Sequence, residues 1–395
     1  MSSVTQKLVA ISLLKQPVTS LLLQQCEELY VYGVLSQLAR FTELQYKDLA
    51  TLPDKINLTT ELSESETLKR LQQICQSTRT QLLLTGSIEP NTTAKGEINI
   101  NYRLYDGNTN RYIVEGTGHL TLDSKRPADS NIPSLQPTQL NQLINQTVAQ
   151  LMPVFSGTNQ PVLSENTLAP ISTSLQAMQL ILRAHQTSSI PEKIMLYEAA
   201  LREDLQLETA YYHLARIHKG ELQYEKSVMY YRETLKVSHA APRNKAIYAT
   251  EAGISLALLG RHDLALQWWF RAVDYDPGYI NPYFNIANTY EDQENYEQAE
   301  EYFLKAQALA PDDFRTFFNL ARLYSKMGIW EKALNQYQLQ LASEDGDPWC
   351  HSDMATCYLN LGDLQNAKQH LEKTLAMDPQ GEAGEYAKLI LGALG

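Results

Sequence analysis

The carboxy-terminal half of this chain repeats itself every 34 residues, and that period limits what it can fold into more than any other feature. Ala287, Tyr290, Ala299, Phe303, Ala306 and Pro311 are followed at the same places by Ala321, Tyr324, Gly328, Ala333 and Tyr337, and then by Ala355, Tyr358, Gly362, Ala367, Leu371 and Pro379. One period upstream stand Gly253, Leu256, Gly260, Ala265, Trp269, Ala272 and Pro277. Leu214, Ala215, His218, Ser227 and Tyr231 lie 38 residues before their counterparts, with four residues inserted around Ala240 to Arg243, and a weaker copy holds Leu180, Ala184, Tyr197, Ala200 and Leu201. The spacings within a copy are helical, so each copy reads as two helices and a turn. Ala and Gly let the helices approach, the aromatics fill the space beside them, and the closing Pro cannot continue the helix before it. A single pair of helices cannot bury its apolar face alone, so the copies are expected to stack.

The stretch "DYDPGYINPYFNIANTY", residues 274–290, raises the alternative of an aromatic ligand box. Pro277 and Gly278 break the chain, however, and Asn281 and Pro282 begin a helix with Pro in its first turn. Tyr283, Ile286, Ala287 and Tyr290 then recur at helical spacing. The aromatics are read as packing between copies.

The pattern resembles the tetratricopeptide repeat (TPR) over residues 174–379, with four good copies and two degraded ones. The resemblance implies an all-α superhelix whose concave face is lined by the first helix of each pair, where a partner segment binds. The places on that face hold Phe284, Asn285, Asn288, Glu291 and Asp292 in one copy, Arg315, Phe318, Asn319 and Arg322 in the next, and Trp349 and Asp353 in the last. The candidate partner-binding residues are Phe284, Asn285, Asn288, Arg315, Phe318, Asn319, Arg322 and Trp349, since Asn amides can satisfy both groups of an extended backbone. Chaperone-binding members grip a terminal carboxylate with paired cations and Asn. Asn288 and Asn319 match the Asn places, but Phe284, Trp349 and Asp353 replace the cations, which argues against such a clamp. Beyond the last copy, Tyr386, Leu389, Ile390, Ala393 and Leu394 are expected on one face of a capping helix over 382–395. Residues 389–395 carry no polar side chain, so this helix is also a candidate homo-oligomer surface.

Upstream the period changes. "KLVAISL" reads as a strand, "TSLLLQQCEELYVYGVLSQLARF" as a helix, "TELQYKDLA" as a strand and "SESETLKRLQQICQST" as a helix with a Ser63 to Glu66 capping box. "QLLLTGSIE", "GEININYRLYDG" and "NRYIVEGTGHLTL" read as three strands, closed by the helix "TQLNQLINQTVAQLMPVF". The order βαβαβββα, with Thr85-Gly86-Ser87 ending one strand and Leu104-Tyr105-Asp106 leading into a Gly-Asn turn, resembles the amino-terminal domain of TolB-type proteins. That likeness implies a bacterial α/β sandwich that mediates contacts and has no known active site. The expected fold is therefore α+β, in two domains: a TolB-like sandwich over 1–155, a polar linker over 156–170, a TPR solenoid of about six repeats over 171–381 with the first two degenerate, and the cap.

Charge narrows the partners. The formal net charge is -12, and residues 1–155 hold 13 Lys+Arg against 14 Asp+Glu, so the repeats carry most of the excess. A field of that sign repels nucleic acid and anionic lipid. No stretch approaches the apolar length that spans a bilayer, and four cysteines without a CxxC pair suit a reduced, cytoplasmic protein. No phosphate-loop, dinucleotide, zincin or nucleophile-elbow pattern is present, and "GTGHL" at 116–120 lies within a strand pattern. Cys350, His351, Cys357 and His370 form the most metal-like group. The two cysteines lie seven residues apart, about 10 Å along a helix, too far for one tetrahedral zinc. No catalysis, metal or cofactor is expected. The leading expectation is a non-enzymatic scaffold or adaptor that binds a protein segment. The alternatives are a regulatory module whose α/β domain takes a small ligand, and a structural subunit of a larger bacterial assembly.

Overall fold

The computed structural model describes residues 7–10, 21–39, 45–46, 68–69, 71–73, 82–90, 97–121, 136–156, 171–343 and 347–394. The chain divides into two compact units, Met1–Tyr248 and Ala249–Gly395.

In the first unit, β1 (Lys7–Ala10), β2 (Gln45–Tyr46), β3 (Leu82–Pro90), β4 (Glu97–Asp106) and β5 (Arg111–Thr121) form one sheet in the order β2-β1-β3-β4-β5. β1 is parallel to both neighbours, and β3, β4 and β5 are antiparallel in turn. The long three-stranded part alternates as its sequence dictates. Ile98, Ile100, Tyr102 and Leu104 of β4 are buried, while Asn99, Asn101 and Arg103 are not. The turn after β4 is held by the Asp106 carboxylate, which accepts from Asn108 N at 2.9 Å and Thr109 Oγ1 at 2.9 Å. Two helices, α1 (Leu21–Ala39) and α2 (Pro137–Ser156), share the core with the sheet. Two buried polar contacts fix them to each other: Gln37 Nε2 donates to Asn145 Oδ1 at 2.8 Å, and Tyr30 and Thr147 share a hydroxyl contact at 2.8 Å. Of the helix expected after β2, residues 68–69 and 71–73 are described, and they are helical. The capping box at Ser63 and Glu66 lies outside the described residues, as does 157–170 of the expected linker.

The repeats of the first unit are joined to this core. Its helices are α3 (Leu175–Gln186), α4 (Ile190–Glu203), α5 (Glu208–Gly220), α6 (Tyr224–Val237) and the start of α7 (Pro242–Leu258). Ile171, Leu175 and Met178 belong to the same apolar cluster as the sheet. Asn141 of α2 accepts from Ile171 N at 3.0 Å and donates to Ser172 O at 2.7 Å, and Ser172 Oγ donates to Asp204 at the end of α4 at 2.6 Å. Sheet and first repeats therefore share one core within this unit.

The second unit continues α7 and adds α8 (His262–Tyr275), α9 (Ile280–Asp292), α10 (Tyr296–Leu309), α11 (Phe314–Lys326), α12 (Trp330–Ser343), α13 (Pro348–Asn360), α14 (Leu364–Met377) and α15 (Glu382–Ala393). The repeat is written in the backbone as well as in the side chains. Leu222, Gly260, Glu294, Gly328 and Gly362 all have positive φ, one at the turn inside each helix pair from α5/α6 to α13/α14. At each turn the next residue donates five residues back: Gln223 to His218, Arg261 to Leu256, Asn295 to Tyr290, Ile329 to Tyr324 and Asp363 to Tyr358, at 2.8 to 2.9 Å. The positive-φ residue itself donates three residues back in every case, which completes a Schellman cap and satisfies two carbonyls of the ending helix. The degenerate pair α3/α4 lacks this turn. Ser189 caps α4 there instead, its hydroxyl accepting from Glu192 N.

Packing follows the sequence reading. The second-helix aromatic place holds Tyr197 and Tyr231 in the first unit and Trp269, Phe303, Tyr337 and Leu371 in the second, all buried. Gly253 shows why its place is small, because a Cβ there would stand 2.3 Å from the Trp269 indole nitrogen. Tyr283 and Tyr290 lie around Tyr302 at 6.5 and 5.9 Å between centroids, and Ile286 and Ala287 are fully buried. The aromatics of 274–290 thus hold helices together.

The terminal helix keeps the expected period with a different phase. Ala383, Gly384 and Ala387 are buried, and Ile390, Leu391 and Leu394 pack against Ala355 and Leu371. Tyr386 and Leu389, expected on the packed stripe, are 37% and 70% exposed, and Ala393 is exposed as well. The small side sets the contact: a Cβ on Gly384 would stand 1.7 Å from the Asp378 carbonyl oxygen, so only this face lets α15 approach so closely.

Candidate functional site

The candidate residues lie on the first helices α9, α11 and α13 of the second unit. α11 and α13 begin at aspartates whose carboxylates cap them, Asp313 accepting from Arg315 N at 3.0 Å and Asp347 from Trp349 N at 3.0 Å. The 34-residue step then sets Asn281 beside Arg315 and Asn288 beside Arg322. Arg315 Nη1 donates to Asn281 Oδ1 at 3.4 Å, and Arg322 Nη2 donates to Asn288 Oδ1 at 3.1 Å.

Each expected residue has a defined part in this ladder. Phe284 is buried against Phe303 and covered by the Arg315 guanidinium at 4.9 Å, so it is a packing residue and not a free lining one. Asn285 is half-buried, and its carbonyl accepts from Thr289 Oγ1 at 2.9 Å. Arg315 is exposed and held by Asp313 at 2.6 Å, which also keeps the Asp313 carboxyl below its ordinary range. Phe318 is half-buried with the Arg322 guanidinium 5.9 Å above its ring. The Asn319 amide donates to the Arg315 carbonyl at 2.8 Å on its own helix. Trp349 is 43% exposed, and its ring lies 6.5 Å from that of Tyr386 at 39°.

Sequence reasoning missed the centre of the network. The Glu291 carboxylate, 1% exposed, takes Arg322 at 2.9 Å and Lys326 at 2.6 Å, although Lys326 was no candidate at all. The chain itself thus supplies an acidic partner for Arg322. Asp353 completes the face. Burial, reinforced by Asp347, pushes its carboxyl up to about 6 against the Tyr337 hydroxyl, which donates to it at 3.3 Å, and against the field of Arg322.

The same places in the first unit are filled differently. Thr209 stands where the later copies have Arg315 and Trp349, His213 where they have Asn319 and Asp353, and His185 where they have Glu291. Helix α1 covers them. Ser36 Oγ lies 3.3 Å from Thr209 Oγ1, and the Tyr32 ring lies 5.7 Å from His185, which in turn meets His213 at 4.7 Å. Burial first, then the neighbouring His185, Arg216 and Lys193, holds His213 well below its ordinary range, so it stays neutral.

The metal-like group does not converge. Cys350 Sγ points to the Tyr337 carbonyl at 3.9 Å and Cys357 Sγ to Ser325 Oγ at 3.5 Å, whereas His351 Nδ1 faces His370 Nδ1 at 3.0 Å. Burial raises both thiols, Cys350 to about 12, and lowers both histidines, His370 to about 4. Among the described residues no three His, Cys, Asp or Glu side chains are grouped to hold a metal ion. In the sheet domain a recess of about 310 Å³ is lined by Tyr102, Thr117, Leu143, Gln146, Ala149 and Gln150.

Family models of the tetratricopeptide repeat match residues 278–343 and 351–380. These residues are tetratricopeptide repeats. Both matches lie outside 1–155, so the TolB-type resemblance draws no support from them, and the described residues establish a sheet with two packed helices rather than the full βαβαβββα sandwich. Comparison with curated proteins finds no match. Among solved structures the chain is similar to PilW, a widely conserved type IV pilus biogenesis factor, at 21% identity over 53% of this chain and 95% of that one, with a TM-score of 0.43. It is also similar to YrrB, described as a TPR protein with an unusual peptide-binding site, at 16% identity over 49% of this chain and 97% of that one, with a TM-score of 0.41. MamA from Desulfovibrio magneticus RS-1 is similar at 17% identity over 44% of this chain and 97% of that one, with a TM-score of 0.40. Among the described residues no helix is long and apolar enough to cross a membrane.

Proposed function

We propose that the protein is a non-enzymatic interaction scaffold that binds a segment of a partner protein on the first-helix face of α9, α11, α13 and α15. One observation carries the reading. The face that α1 covers in the first unit bears, in the second, the half-exposed cations Arg322 and Lys326 on α11 and the half-exposed aromatics Trp349 and Tyr386 on α13 and α15. Exposed aromatics and Arg are the side chains that dominate binding energy when a partner covers them. Asn285, Asn288 and Asn319 would serve the partner backbone, Phe318 and Trp349 its apolar groups. Phe284 and Arg315 support the face from below and from the side. On this reading 1–155 is a contact-making domain, 171–381 the repeat array, and a reducing cytoplasmic compartment suits the buried thiols of Cys350 and Cys357.

The test is binding of the full chain to an array of short peptides, followed by Trp349→Ala combined with Tyr386→Ala. Affinity for the selected peptides should fall roughly tenfold or more, about 1.4 kcal/mol, with helical circular dichroism unaltered. Equal affinity in the double variant would sink the reading. A second reading rests on the recess beside Tyr102, whose polar lining is uncharged and would suit a small neutral ligand. A bound metabolite released on denaturing the purified protein would favour it.

A further inference from the structure

We propose that this face selects a segment that carries an acidic side chain and, several residues away, an aromatic or large aliphatic one, the acid set against Arg322 and Lys326 near the end of α11 and the apolar group against Trp349 and Tyr386. The inference rests on the reading above and names the chemistry of its partner.

Charge is the first argument. Residues 249–395 hold 10 Lys+Arg against 22 Asp+Glu, so the entire formal charge of -12 sits in the second unit. Helix α11 departs from that background, carrying Arg315, Arg322 and Lys326 and no acid. Asp313 neutralises Arg315. Arg322 and Lys326, however, converge on the single carboxylate of Glu291, which is itself out of reach of solvent, while their own side chains remain 39% and 48% exposed. Asp353 also lies in the field of Arg322, so what the pair offers a partner is two half-exposed, charged donors fixed in position by the buried Glu291 carboxylate rather than a surplus of positive charge. An acidic group gains there and is repelled elsewhere on the unit, which gives register and selectivity more than raw affinity.

The apolar argument is separate. Trp349 and Tyr386 come from successive first-helix positions, on α13 and α15, and form an exposed shelf at the end of the face. Tyr386 is where the phase of α15 departs from the sequence reading: the helix packs through its small residues and turns this ring outward. A second aromatic or a Leu side chain would cover both rings.

The arrangement is not a terminal-carboxylate clamp. Its cations stand on α11, and Asp353 on α13 disfavours a second carboxylate next to the first.

The test uses the full chain and synthetic peptides of about twelve residues with one Phe and, at each other position in turn, Glu, Gln or Lys. Glu peptides of the preferred spacing should bind roughly tenfold tighter than their Gln forms, about 1.4 kcal/mol, with Lys forms weakest. Lys326→Gln should narrow the Glu to Gln ratio. Glu291→Gln, which keeps the buried shape and releases both cations, should widen it. Trp349→Ala should weaken the Glu and Gln forms alike, with circular dichroism and melting confirming that each variant is folded. If Glu and Gln forms bind equally and Trp349→Ala still weakens both, the acidic preference is overturned and the face survives. If neither Trp349→Ala nor Lys326→Gln changes any affinity, both the preference and the face are overturned.

Discussion

The two units carry the same repeat and use its first-helix face in opposite ways. In the first, α1 lies against it, Tyr32 meets His185, and His213 is neutral beneath them. In the second, the equivalent places hold Asn, Arg, Asp and Trp, and the ion pairs there leave cations half-exposed. A repeat signature therefore specifies the inner packing of each pair and leaves the first-helix face to be spent differently copy by copy. In one unit it is covered by the chain itself, and in the other it is left open, where the proposed partner would bind.

That contrast gives its largest effect on substitution of aromatics at the two faces. Tyr32→Ala removes a buried ring and should cost roughly 3 kcal/mol, read as faster hydrogen exchange in α3 and α5. Trp349→Ala should change stability by less than about 0.5 kcal/mol and act on binding instead. Similar losses of stability at the two places would break the contrast.

The inner face should be intolerant wherever it is tested. Gly253→Ala presses a methyl into the Trp269 indole and should cost about 1 to 3 kcal/mol, measured by denaturant unfolding. A neutral result would mean that the α7/α8 pair is looser than its contacts indicate.

Acid should separate the buried histidines from the binding face within the second unit. His351 and His370 are lowered in the folded state by burial, with Lys373 also opposing their charge, so the unfolded chain takes up protons first. Their contribution is present above pH 6.5 and is lost as pH falls toward the folded value of about 4 for His370. Asp353 has the opposite sign: raised from 3.8 to about 6, it binds its proton first in the folded state, so falling pH favours the fold through that window. In Asp353→Asn the unit should therefore lose stability from pH 6.5 to 4, and in His351→Gln with His370→Gln it should gain. Melting curves across that range decide, and equal slopes in the two variants would contradict the assignment.

The smallest effects lie at the turns, which should not distinguish the units. Leu222 and Glu294 occupy a left-handed place that three glycines hold in other copies. Leu222→Gly and Glu294→Gly should each gain up to about 1 kcal/mol by relieving that conformation, whereas Gly328→Ala should lose a similar amount. Equilibrium unfolding would show it.

The helix pairs, their small crossing residues and their aromatic fillers were legible because each is decided within one copy and its neighbour at a fixed step. The Glu291 network was not. It joins residues 31 and 35 apart, and nothing in the period says that a carboxylate at the end of α9 will meet cations of the next copy. Phe284 was read as lining because its place faces outward in the repeat, but Arg315 lies over its ring. Helix α1 on the first repeats was invisible for a different reason. Nearly every residue from Leu29 to Leu38 is buried, and a helix covered on all sides does not say in its sequence which neighbour meets which side.

The measurement closest to the central claim is hydroxyl-radical footprinting of the full chain, alone and with a Glu- and Phe-bearing peptide taken from the array. Without peptide, Tyr32, His185 and Tyr197 should be protected, and Trp349 and Tyr386 should react. With peptide, Trp349 and Tyr386 should become protected while the first three stay as they were. Protection that appears at α1 and the first repeats, with Trp349 and Tyr386 still reactive, would place binding on the other unit and contradict the account.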